Sequence, residues 1–119
     1  MKRNSQALKL RTKHFALRVL KLYRSLPRSE EARILGKQLL RSSTSIGANY
    51  RAACRGRSRA EFLAKLGVVL EEADETVFWL EMLSDCDIVP AKKLVSLLAE
   101  AHELSALFTA SQFTARRNR

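Results

Sequence analysis

The chain of 119 residues is poor in what most site chemistries require, with two Cys, two His, four Gly, two Pro and one Trp. Cys54 and Cys86 have no C-x-x-C partner. That spacing excludes the usual zinc patterns and reads as two buried thiols in a reducing compartment. No metal and no cofactor are expected. Scarce Gly and Pro beside abundant Ala, Leu, Lys, Arg and Glu exclude a turn-rich sheet architecture and favour long helices. The H-E-x-x-H, P-loop, G-x-G-x-x-G and G-x-S-x-G patterns are absent. His14 and His102 lack an Arg four to six residues upstream, which excludes the Arg–His pair of helical-bundle ribonucleases. The expectation is a protein that is not an enzyme.

Long hydrophobic runs are missing as well. The basic opening MKRNSQALKLRTKHFALRVL holds at most three consecutive apolar residues, too few for a signal peptide. No stretch reaches transmembrane length. A soluble, cytoplasmic protein without a membrane partner is expected.

Acid is missing from the first half. Residues 1–60 carry 16 of the 22 Lys and Arg against Glu30 and Glu31 alone, a net +14. Residues 61–119 carry six basic and ten acidic side chains, a net −4, so the whole chain stands at +10. Such asymmetry fits a polyanionic partner, or a basic face that meets an acidic face on another copy.

What is present is helical periodicity. Phe15, Val19, Leu22 and Leu26 line one face of a first helix, about Thr12 to Ser25, which Pro27 closes. Ser29 caps a second helix, about Glu30 to Arg55, with Glu30 and Glu31 at its positive end. Its inward stripe is Leu35, Leu39, Ser42, Ile46, Asn49 and Ala53, and Gly56 fits a left-handed position after its end. Ser58 and Glu61 form a capping box for a third helix, about Arg59 to Ser84, whose stripe is Phe62, Leu66, Val69, Ala73, Thr76, Leu80 and Leu83. Pro90 suits the first turn of a fourth helix carrying Leu94, Leu97, Ala101, Leu104 and Phe108. The fold class is therefore all-α, an antiparallel up-down four-helix bundle in a single domain over 1–119. Residues 1–11 and 109–119 lose periodicity and read as frayed basic tails.

The second helix has two unlike faces. Ser42, Asn49 and Ala53 stand where a bundle usually places Leu, so neighbouring axes can approach closely, and Asn49 reads as a satisfied core amide. Opposite them run Arg33, Lys37, Arg41, Arg51 and Arg55, with Arg57 and Arg59 continuing through the hairpin and Arg18 and Lys21 adding from the first helix. Like charges along one stripe repel, and a phosphate backbone or a partner's carboxylates would offset that repulsion. The third helix carries Glu71, Glu72, Asp74 and Glu75 without a His at helical spacing, which reads as a salt-bridge network rather than an active site. Val68, Phe78, Trp79 and Met82 lie off its inward stripe, an apolar set that homo-oligomerisation would cover.

The run SIGANYRAACRGRSRAEFLAKL, followed by EEADETVFWLEML, resembles the bacterial proteins encoded in intervening sequences of 23S ribosomal RNA genes, also called S23 ribosomal proteins. The resemblance spans about Phe15 to Phe108. It is densest at Ser45 to Asn49, at the Ser58 to Phe62 cap and at Glu72, Asp74 and Glu75. Many relatives follow the Asn with N-I-A-E-G, whereas Asn49 is followed here by Tyr50-Arg51-Ala52-Ala53, a more basic variant. The resemblance implies an up-down bundle assembling into homopentamers. The chain is also similar to the accessory proteins of diversity-generating retroelements, which implies a basic, non-enzymatic barrel working with nucleic acid. Two readings stay open. One is a nucleic-acid-binding homo-oligomer, with RNA favoured over DNA. The other is an interaction scaffold whose basic second helix docks acidic surfaces.

Overall fold

A computed structural model describes residues 2–117, with side chains from Ser5 onward. Helix α1 spans Lys2–Ser25, α2 Glu30–Cys54, α3 Arg59–Asp85 and α4 Val95–Arg117, with a 3₁₀ turn at Ala91–Lys93 before α4. No strand occurs among the described residues. The helices pack as a rod of 50 × 21 × 20 Å.

Cross-helix contacts give the antiparallel register. A Cβ at Gly36 would lie 2.6 Å from Leu26 and 3.0 Å from the Tyr23 ring, and one at Gly47 would lie 3.1 Å from the Thr12 hydroxyl. Ascending numbers on α1 therefore face descending numbers on α2. Thr76 Oγ1 and Ser42 Oγ lie 2.9 Å apart between α2 and α3, and the Arg11 guanidinium meets Glu100 at 2.8 Å between α1 and α4.

The seams of α3 and α4 agree with their spacing. Leu66, Val69, Ala73, Thr76, Leu80 and Leu83 are buried, as are Leu94, Leu97, Ala101, Leu104 and Phe108. On α2 the outcome differs. Tyr50 and Ser43 join Leu39, Ser42, Ile46 and Ala53 in the interior, while Asn49 is only half-buried and donates from Nδ2 to the Ser45 carbonyl at 3.0 Å. Tyr50 takes the seam because its ring reaches Phe108, centroid to centroid 5.4 Å, and buries far more apolar surface than an amide. Asn49 is thus a local backbone bond and not a core amide.

Four other expectations shift. The tails are helical: Leu8 and Thr12 are buried, and Arg11 holds α1 to α4 through Glu100 and Glu103, a long-range anchor that periodicity does not display. Those two carboxylates push the Arg11 pKa up, Glu100 by the stronger hydrogen bond. Met1, Asn118 and Arg119 lie outside the described residues. No glycine has positive φ; Gly56 is favoured because a Cβ there would meet the Ala53 carbonyl at 3.0 Å and the Phe62 nitrogen at 3.2 Å. The left-handed residue is Asp87, φ 60°, just beyond α3. Pro90 precedes the 3₁₀ turn rather than opening α4, because buried Leu94 anchors the chain before the helix starts. Cys86 is exposed and Cys54 half-buried, so the thiols are not both interior.

Small side chains in the α2 seam set a testable tolerance. Ser42 Oγ bonds the Leu39 carbonyl as well as Thr76. Ser42→Ala is expected to cost about 1 kcal/mol, a lost buried hydrogen bond whose partner Thr76 keeps the Glu72 carbonyl. Ser42→Leu should cost more, up to about 3 kcal/mol, because the helices must separate. Denaturant midpoints of the two variants check that order.

Tyr50 makes stability pH-dependent at the alkaline end. Burial pushes its pKa up from the ordinary value of 10.0, and the Cys54 thiol one turn on adds to the shift. The unfolded chain releases this proton near pH 10 while the folded chain keeps it, so the contribution is intact below about pH 10 and falls as pH rises above that. Unfolding midpoints against pH should drop less steeply above about pH 10 in Tyr50→Phe than in the native chain.

Candidate nucleic-acid interface

The nine cationic side chains singled out in the sequence are all exposed: Arg18, Lys21, Arg33, Lys37, Arg41, Arg51, Arg55, Arg57 and Arg59. They follow from the periodicity of α2, which turns Leu39, Ile46 and Tyr50 inward and leaves the stripe from Arg33 to Arg55 in water.

Exposure does not make them equivalent. Arg41 lies 3.5 Å from Glu72, pairs directly with Glu75 and donates to Gln38 at 3.2 Å. Glu75 also accepts from the Trp79 indole nitrogen at 2.9 Å. The resemblance motif of Glu72 and Glu75 is therefore an α2–α3 clamp that neutralises Arg41 within its own chain. Asp74 is exposed on the outer side of α3 and takes no part in it. Arg18 is turned toward α4, where it donates to Ser96 Oγ at 2.6 Å, so it does not extend the α2 stripe. Arg33, Lys37, Arg51, Arg55, Arg57, Arg59 and Lys21 make no ion pair among the described residues.

The hairpin between α2 and α3 concentrates what remains. Ser58 caps α3 by accepting from the Glu61 nitrogen at 3.1 Å, which fixes the turn tightly after Arg55. Arg51, Arg55, Arg57 and Arg59 thus project from nine consecutive residues around the start of α3, with Glu61 in its first turn the nearest carboxylate in sequence. Antiparallel packing brings two further basic segments to the same end. Lys9 on α1 lies one turn before Thr12, which faces Gly47, and Arg116 and Arg117 follow Phe108, which faces Tyr50. The Arg117 guanidinium sits 5.9 Å over the ring of Phe113, itself 62% exposed. This gathering is invisible while residues 1–11 and 109–119 are read as frayed tails. The signal for it was the basic content of both tails combined with an even number of antiparallel helices.

Of the expected oligomer contacts, Val68 and Phe78 are exposed, Phe78 by 51%. Trp79 and Met82 are half-buried, and Trp79 is committed to Glu75. Its ring supports Phe78 edge-on at 4.9 Å and 73°. Leu10, Leu17 and Ile34 are exposed apolar residues that the seam pattern did not single out. Both histidines are exposed and stand apart from any acidic cluster that could hold a metal among the described residues. No helix among those residues is long and apolar enough to cross a membrane.

Comparison with known proteins places this geometry. The chain matches no curated protein. Among solved structures it is similar to a protein of unknown function from the S23 ribosomal protein family of Bacteroides thetaiotaomicron, at 35% identity and TM-score 0.85 over 91% of this chain and 96% of that one. The profile of the 23S rRNA-intervening sequence protein covers residues 6–110, through every helix and the arginine-rich hairpin. With that span and the shared bundle, the chain belongs to the 23S rRNA-intervening sequence protein family.

Proposed function

We propose that this protein is a non-enzymatic, cytoplasmic RNA-binding protein that acts as a homo-oligomer, a pentamer by the resemblance. The observation that carries the reading is the hairpin end: Arg51, Arg55, Arg57 and Arg59 are exposed and make no ion pair among the described residues. Like charges held this close raise the energy of the free protein, and phosphates relieve it by releasing condensed counterions. Lys21 and Arg33 continue the positive field along the rod, and Phe113 offers a stacking surface beside Arg117. Contacts of this type position a backbone without reading bases, so binding should be tolerant of sequence. RNA is favoured over DNA by the family name alone, and a structured RNA is the natural probe. Anisotropy of a labelled RNA hairpin should rise on titration with protein at about 50 mM salt, where backbone contacts are strong. An unchanged signal there removes the proposal.

A further inference from the structure

Three of the four glycines face close neighbours within the chain, and the fourth does not. A Cβ at Gly67 would meet nothing within 4 Å. Gly67 sits inside α3, where glycine costs about 1 kcal/mol relative to Ala. The fold of one chain offers no reason for it. A glycine kept on an open helix face suits the close approach of another backbone.

Its surroundings describe what approaches. Ala60, Ala64, Gly67, Glu71, Asp74 and Phe78, spaced 4, 3, 4, 3, 4, form the outer crest of α3, opposite the buried Leu66 and Leu80. Small residues occupy one half of the crest and an exposed aromatic the other. Glu71 and Glu81 flank Phe78, both exposed and without an ion pair among the described residues.

The complementary surface lies on the same chain. Between α1 and α2 runs an open groove of about 520 Å³ lined by Ala16, Leu17, Leu20 and Leu40 together with Lys13, Lys37, Thr44 and the Arg41 already paired with Glu72 and Glu75. In the antiparallel register Lys13 and Lys37 stand about 13 Å apart along the rod, and Glu71 and Glu81 about 15 Å. Aromatic meets leucine, and acid meets lysine at both ends.

We infer that the α3 crest of one copy docks into the α1–α2 groove of a second copy, with Phe78 on the groove's leucines and Gly67 letting the helix axes close up. Groove and crest are different surfaces, so the contact is head-to-tail and repeats until a ring closes. It rests on the homo-oligomer part of the reading above and assigns Lys13 and Lys37 to assembly, leaving the hairpin arginines for RNA.

Light-scattering mass measurements on two charge-swapped chains test it. The pair Lys13→Glu and Lys37→Glu removes the groove's lysines; the pair Glu71→Lys and Glu81→Lys reverses the crest. Each is expected to fall from the native multiple to a single 13.5 kDa chain. Mixed in equal amounts, the two should associate into assemblies of an even number of chains, because each supplies the face the other lacks and matched contacts require the two to alternate. Gly67→Leu is expected to keep native helicity, since its own fold has room, yet to run as a monomer. A native chain that is itself monomeric, a swapped chain that keeps native mass, a mixture that stays monomeric or an assembled Gly67→Leu would each overturn the contact. RNA anisotropy on the same samples separates the two claims. A native chain that assembles and ignores RNA upholds this contact and removes the nucleic-acid reading.

Discussion

Replacing Arg51, Arg55, Arg57 and Arg59 together by Gln is expected to weaken RNA binding about a thousand-fold at 50 mM salt. The figure follows from counterion release. With a slope of about 0.7 per phosphate on a single strand, each contact contributes roughly 1 kcal/mol at that salt, and four give close to three decades. The neutral amide keeps most of the length of arginine, so the hairpin should fold unchanged, with Ser58 still bonded to the Glu61 nitrogen. Arg41→Gln is the internal control. Its guanidinium is held by Glu72 and Glu75, so its removal should scarcely alter RNA affinity while loosening the α2–α3 contact. Equal losses from Arg41→Gln and from a single hairpin arginine would show that the cationic stripe acts as a whole.

Phe108→Ala carries the largest expected cost in stability, about 3–5 kcal/mol. Phe108 is fully buried and packs its ring at 39° against Tyr50, so truncation empties a cavity between α4 and α2 that helices at fixed spacing cannot refill. A domain of this kind is stable by about 5–15 kcal/mol, so roughly a fifth or more of the total is at stake. Phe113→Ala, one turn and a residue further on, should stay within about 0.5 kcal/mol, because that ring faces water. Urea midpoints of the two variants give the comparison, and similar losses would mean the end of α4 is packed differently.

These two phenylalanines also show what could be read in advance. Phe108 closes a run at spacings of 3, 4, 3 and 4 from Leu94, and every member of that run is buried. The same holds for α3 from Leu66 to Leu83. On α2 the spacing allowed either Asn49 or Tyr50 after Ile46, and only the ring of Phe108, 58 residues on, decides between them. Helix ends were legible where local chemistry sets them, as at Ser29 and Ser58. They were not legible where a distant partner does, as with Arg11 and Glu100, 89 residues apart.

The candidate site divides along the same line. That the arginines of α2 face water follows from periodicity alone. That Arg41 is spent on Glu72 and Glu75 does not, because those carboxylates lie on another helix. The convergence of the hairpin with Lys9, Arg116 and Arg117 needed the topology and the recognition that both tails are helical. The α1–α2 groove needed the coordinates, since Leu17 and Leu40 lie outside the seam pattern and carry no sequence signal of their own.

The most direct test of the central claim, that the hairpin arginines are available to phosphates, is the salt dependence of RNA binding by the native protein. Log affinity plotted against log salt concentration should be linear, with a slope of about −3 or steeper for four or more phosphate contacts. A slope near zero would mean that those guanidinium groups do not meet phosphates, and it would contradict the proposed function while leaving the bundle intact.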